Sequence, residues 1–153
     1  MQAKRFLTVF RPLNTALASL APLVDLGIRL YVANVFFSSG LVKIQSWQST
    51  LTLFEYEYAV PVLPPELAAY LGTAAELSLP VLLVLGLGGR FTALALFLFN
   101  IVAAVSYPDL SDAGRQDHLY WGMLLGVLTV HGLGKLSLDH LLCRMFKDDS
   151  QGG

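Results

Sequence analysis

A chain of 153 residues, 55% hydrophobic and 14% charged, has too little polar surface to cover a soluble globule, because ordinary soluble domains carry about 25% charged residues. Its formal net charge of −1 leaves no field to gather nucleic acid or an acidic partner. The single cysteine, Cys143, excludes an internal disulfide and any chemistry that needs two thiols in one chain.

Residues 1–19 come first. Phe6, Leu7, Phe10, Leu13 and Leu17 recur at roughly helical spacing while Lys4, Arg5 and Arg11 stay polar, the pattern of an amphipathic segment lying on a membrane. A cleaved signal is disfavoured, since Arg11, Pro12 and Asn14 break the apolar run. Four later stretches meet the requirement of about 20 mostly apolar residues per span: 20–42, 67–87, 91–107 and 118–136. The fold class is therefore all-α, a transmembrane four-helix bundle over residues 20–142 followed by a polar tail, 143–153.

The connection from Lys43 to Glu66 places Trp47, Leu51, Phe54 and Tyr58 on one helical face. It reads as a short interfacial helix ended by Pro61, Pro64 and Pro65, either a lid on the bundle or a docking surface for an outer partner. Gly86-Leu87-Gly88-Gly89-Arg90 is too short for anything but a tight hairpin. Lys4, Arg5, Arg11, Arg90, Lys135, Arg144 and Lys147 fall on one side of the bundle and only Lys43 and Arg115 on the other. Basic loops stay inside, so both termini are expected in the cytoplasm.

Charge within a bilayer costs roughly 2.5–3.5 kcal/mol per group on insertion scales, so each such residue needs a partner or a purpose. Asp25 and Arg29 share a face of the first span. Depths counted from the span ends bring Arg29, Glu76 and Asn100 toward one midplane. Asp25, Arg29, Glu76 and Asn100 thus form the candidate polar cluster, with an Arg29–Glu76 ion pair expected. Two readings stand: a clamp that fixes helix register, or a cavity for a polar head such as a quinone carbonyl, or for a relayed proton.

His118, His131 and His140 cannot converge on a haem from different spans, and no His, Cys, Asp or Glu cluster has metal-site spacing. No metal site and no cofactor bound by the single chain are expected. His118 reads as a solvated interface residue. Gly122 and Gly126 form a small-xxx-small pair that serves either packing within the bundle or a homodimer seam.

Gly40-Leu41-Val42-Lys43, Glu76, the run ending in Arg90, and Gly132-Leu133-Gly134-Lys135-Leu136-Ser137-Leu138-Asp139 together resemble the DoxX family of small bacterial membrane proteins. Its motif positions here are Gly40, Lys43, Arg90, Gly132, Gly134, Ser137 and Asp139. Leu133 stands where many members have proline. The resemblance implies a multi-pass inner-membrane bundle. It also implies either a subunit of a quinone- or thiol/sulfur-linked redox complex, or an accessory protein for maturation or export of a secreted metal-binding peptide. The expected partners are the lipid bilayer and either a redox enzyme or such a periplasmic peptide. The sequence supports the redox reading through its polar cluster and incomplete catalytic apparatus, and the accessory reading through its aromatic outer helix and acidic outer loops. A transporter lacks support, with no inverted repeat or broken helix.

Overall fold

The computed structural model describes the backbone of residues 2–134 and 136–149 and the side chains of residues 11–134 and 136–145. Every regular element among them is helical. In chain order these are α1 (Gln2–Gln45), α2 (Trp47–Tyr56), α3 (Pro65–Leu85), α4 (Gly89–Ser106), α5 (Asp112–His131) and α6 (Leu138–Asp149).

Three helices are long and apolar enough to cross a bilayer: α1 over Arg11–Gln45, α3 and α4. The 20-residue α5 packs along α4, but Asp112, Arg115, Asp117 and His118 occupy its first turns. The solvent preference is inverted relative to a soluble protein. Arg29, Glu76, Asn100 and Thr73 are buried, whereas Leu98, Val105, Leu119, Met123 and Val130 are more than half exposed. Apolar faces of this extent need lipid or a partner.

Helix limits depart from the hydropathy reading for local reasons. The segment 1–19 and the span 20–42 share one helix, continuous from Gln2, with Pro12 and Pro22 inside it. The side chains of Lys4, Arg5, Phe6, Leu7 and Phe10, on which the amphipathic reading rests, lie outside the described residues. The last long helix begins six residues before 118, because Ser111 caps it by accepting from the Gly114 N–H at 3.1 Å. It stops at Gly132, whose φ of 89° is closed to ordinary side chains. The polar tail, 143–153, is helical as far as Asp149, within α6; residues 150–153 lie outside the described residues.

The predicted hairpin is present. Gly86 ends α3 in the left-handed conformation, and the Leu87 N–H reaches back to the Leu82 carbonyl at 3.0 Å. Pro64 and Pro65 start α3 where a missing N–H costs nothing. The principal core, Val32, Phe36, Leu83, Ala93, Leu96, Leu125, Leu128 and Leu133, joins α1, α3, α4, α5 and the segment after α5. A second, smaller cluster seats α2 on α3 through Phe54, Ala68 and Ala69. Trp47 lies 4.7 Å from Tyr70 and Phe54 stacks on Tyr58 at 4.7 Å. The aromatic face of α2 therefore points into the protein as a lid, and Glu55, Tyr56 and Glu57 face outward.

Candidate functional site

The polar cluster expected at one depth is divided between two ends of the bundle. At one end Arg29, 1% exposed, spends its guanidinium on backbone carbonyls. Nε donates to Leu83 O at 2.8 Å, Nη1 to Leu133 O at 2.9 Å and Leu136 O at 2.7 Å, and Nη2 to Val84 O. Leu83 and Val84 belong to the last turn of α3, whose carbonyls have no partner within the helix. A cation also suits the negative end of the helix dipole. Among the described residues no carboxylate stands within 4.0 Å of Arg29, so the predicted ion pair with Glu76 is not formed, and Asp25, on the same helical face, does not pair with Arg29 either.

The family-motif positions explain one another around this clasp. A Cβ on Gly86 would stand 2.5 Å from Ser137 Cβ and 2.9 Å from Arg29 Nη2. One on Gly134 would stand 2.9 Å from Asp25 Oδ2, one on Gly132 would stand 3.5 Å from Arg90 Nε, and one on Gly89 would stand 3.3 Å from Asp139 Oδ2. The Asp139 N–H donates to Gly86 O at 3.2 Å, and the Ser137 hydroxyl donates to Gly134 O at 3.0 Å. These residues lock the turn after α3 to the segment after α5. Lys135 lies outside the described residues.

At the other end of α1 the partner of Glu76 is Lys43. Nζ lies 2.8 Å from Oε1 and 2.6 Å from Oε2, and it donates as well to Ser39 Oγ at 2.9 Å. The Ser39 hydroxyl donates to Oε1 at 3.2 Å, which closes a triangle. All three ammonium protons are used. Both side chains are nearly buried, 12% exposed for Lys43 and 9% for Glu76. Gly40 makes this approach feasible, since a Cβ there would come within 2.9 Å of Leu77 and 3.1 Å of Glu76 Cβ.

The register explains why Arg29 cannot reach Glu76. Gly40 faces Glu76 and Leu77, while Arg29 reaches Leu83 and Val84. From Arg29 to Gly40 is eleven positions along one helix, or roughly 16 Å. Depths counted from hydropathy-defined span limits misplace Arg29, which lies level with the last turn of α3 rather than with its middle.

Asn100 does not join either charge; it binds His118 twice. Its Nδ2 donates to the His118 carbonyl at 2.9 Å, which turns Oδ1 toward His118 Nδ1 at 2.8 Å. The neutral imidazole then carries its proton on Nδ1 and leaves Nε2 as an acceptor. His118 is half-buried, edge-on to Trp121 at 4.9 Å, and is not the solvated interface residue the sequence suggested.

The Lys43–Glu76 triangle, Tyr58, Tyr107, His118 and Trp121 line a chamber of about 170 Å³. A second cavity of about 280 Å³ lies between α2, α3 and α4 and shares Lys43, Tyr58 and Glu76 with the first. Ser106, 1% exposed, lines this second cavity, and its hydroxyl has no hydrogen-bond partner among the described residues. Burial pushes the Tyr58 phenol above its ordinary value, with Glu76, Tyr107 and Glu57 adding to the effect. Tyr107 is raised first by its 3.2 Å hydrogen bond to Glu57 at the outer rim. The chamber can therefore supply an acceptor nitrogen, an ion pair, phenolic donors and aromatic walls. No three of its His, Cys, Asp and Glu side chains converge as metal ligands among the described residues.

Sequence reasoning missed Lys43 as the partner of Glu76 and His118 as the partner of Asn100. The i, i+4 spacing of Ser39 and Lys43 around Gly40 was a legible signal for the first. Nothing local in the sequence announces the second.

A family model described as DoxX matches residues 24–108, from Val24 before the Arg29 clasp to Pro108 after α4. The match includes Arg29, Gly40, Lys43, Glu76, Arg90 and Asn100 but stops short of the segment 132–139. An uncharacterized protein of Haemophilus influenzae is 31% identical over 130 residues, covering 80% of this chain and 85% of its own. No solved structure matches the chain.

Proposed function

The chain belongs to the DoxX family of membrane proteins, and from that premise we propose that it is the membrane subunit of a quinone-linked redox complex. A partner protein supplies the electron-transfer centre. The observation that carries this reading is the chamber beside the Lys43–Glu76 pair. It combines a carboxylate, an ammonium and the acceptor nitrogen of His118 with the Trp121 wall. Its volume of about 170 Å³ is comparable to the roughly 150 Å³ known to admit one benzene ring.

A quinol losing two electrons and two protons needs a base for each proton. His118 Nε2 takes one, and the Glu76 carboxylate, relayed through Ser39, takes the other; the electrons pass to the partner's centre. In this reading α1, α3, α4 and α5 all cross the inner membrane, both termini are cytoplasmic, and the chamber lies in the outer half. Reporter fusions after Gly153 and within Ser111–Gly114 test the orientation; a carboxy-terminal reporter active only in the periplasm overturns it.

The binding test uses a tail-less benzoquinone titrated into protein in detergent, read by quenching of Trp121 in a Trp47→Phe background. Saturable quenching that disappears in His118→Ala supports the reading, and non-saturable quenching rejects it. The accessory role for a secreted metal-binding peptide retains the acidic outer residues Glu55, Glu57, Asp109 and Asp112, but the aromatic face it relied on is turned inward.

A further inference from the structure

On the outer surface of α4 and α5 runs a groove of about 790 Å³. Its polar end holds Asn100, His118, Tyr107 and Arg115; beyond them it is apolar as far as Gly126. Tyr107, Leu110 and His118 line both this groove and the chamber, so these three side chains form a wall common to the two spaces. From His118 to Gly126 is eight positions of helix, about 12 Å of apolar track.

We propose that this groove is the tail-binding site for the ligand whose head occupies the chamber, so that the substrate is a quinone bearing a long apolar side chain. This rests on the quinone reading above. Three observations select a tail over a second copy of the chain. The groove is concave and shares the Tyr107, Leu110 and His118 wall with a polar chamber, so a ring head and a flexible tail would lie side by side. Gly122 is already consumed inside the protein, since a Cβ there would stand 3.3 Å from Asn100 Nδ2. A glycine-pair dimer seam needs both glycines on one open face, and Gly122 is buried. Gly126 by contrast would have nothing within 4 Å of an added Cβ and leaves the far end of the track open.

Gly126→Leu fills the track without displacing an existing neighbour, and the test compares it with the wild type in one detergent. Two probes are titrated: a tail-less benzoquinone and the same ring carrying an isoprenoid chain. The wild type should prefer the tailed probe, and Gly126→Leu should reduce that preference at least tenfold while leaving tail-less affinity unchanged. Comparing the two proteins cancels partition of the probe into the micelle. An unchanged preference in Gly126→Leu overturns the tail site and leaves the head site standing. If neither probe binds the wild type, the head reading fails and takes this inference with it. Efficient disulfide cross-linking of Gly126→Cys between chains in membranes, in a Cys143→Ser background, would assign the groove to a second copy instead.

Discussion

Replacing Arg29 tests whether a buried cation without a carboxylate is held by carbonyls alone. Arg29→Met removes four hydrogen bonds, to Leu83, Val84, Leu133 and Leu136. Net contributions of about 1.5–3 kcal/mol for each bond to a charged group would sum to more than a point mutation usually costs. Leu83 O, however, keeps the Gly86 N–H at 3.2 Å, and the segment after α5 can relax. A loss of at least about 4 kcal/mol is expected, at the exceptional end for a point substitution. Arg29→Lys keeps the charge but cannot fork across the end of α3 and the 133–136 segment together. With about half the bonds lost, it should cost about 3 kcal/mol. Denaturant titration of the purified protein in mild detergent, followed by circular dichroism, reads both. Arg29 and Glu76 share no partner, so Arg29→Met and Glu76→Gln should add within about 0.5 kcal/mol. An Arg29→Met protein within about 1 kcal/mol of wild type would refute the clasp, and strong coupling with Glu76→Gln would restore the ion pair that the structure lacks.

Lys43→Met and Glu76→Leu each strand a nearly buried charge, at about 3–5 kcal/mol apiece, and the double mutant should cost less than their sum; a denaturant double-mutant cycle measures it. Gly86→Ala combines a left-handed φ of 71° with a contact of 2.5 Å to Ser137 Cβ, so a loss of about 1–3 kcal/mol from backbone strain alone is expected, read by thermal unfolding. Tyr58 and Tyr107 both hold their protons above the ordinary value. Folded protein therefore binds more protons than unfolded chain once pH passes about 10, and the stability these phenols contribute, complete below that pH, falls as pH rises through their folded values. Tyrosine absorbance titration should show Tyr107 ionising earlier in Glu57→Leu; an unchanged curve would refute the hydrogen bond as the leading cause.

The residue types that would matter were visible in the sequence, but their pairing was not. Hydropathy finds α3 and α4 within two residues at each end, because Pro65, Gly86 and Gly89 mark their limits chemically. It fails at α5, where a Ser111 cap begins a helix whose first turns are polar and look like loop. It fails again at α1, where the span limit near residue 20 falls inside one continuous helix and marks no depth. That second failure moved Arg29 to the wrong depth and so assigned it the wrong partner. Contacts such as Asn100 with His118, or Arg29 with Leu136, depend on how four segments come together, and no spacing within one segment encodes them. Gly40 was legible as a motif position and Gly86 as part of a tight turn, yet their purpose, admitting Leu77 beside one and Ser137 beside the other, needed the packed structure.

The Arg29 clasp also orders events during synthesis. Two of its acceptors, Leu83 O and Val84 O, exist as soon as α3 has been made, but Leu133 O and Leu136 O emerge only after α5 is complete. Until then half of a guanidinium's bonds have no partner in an environment where an unmet polar group is expensive. A nascent chain halted before residue 133 therefore carries a standing mark of incompleteness within the bilayer. Released chains truncated at 131 should be cleared by membrane proteases faster than released chains truncated at 142, although the two differ by no transmembrane helix.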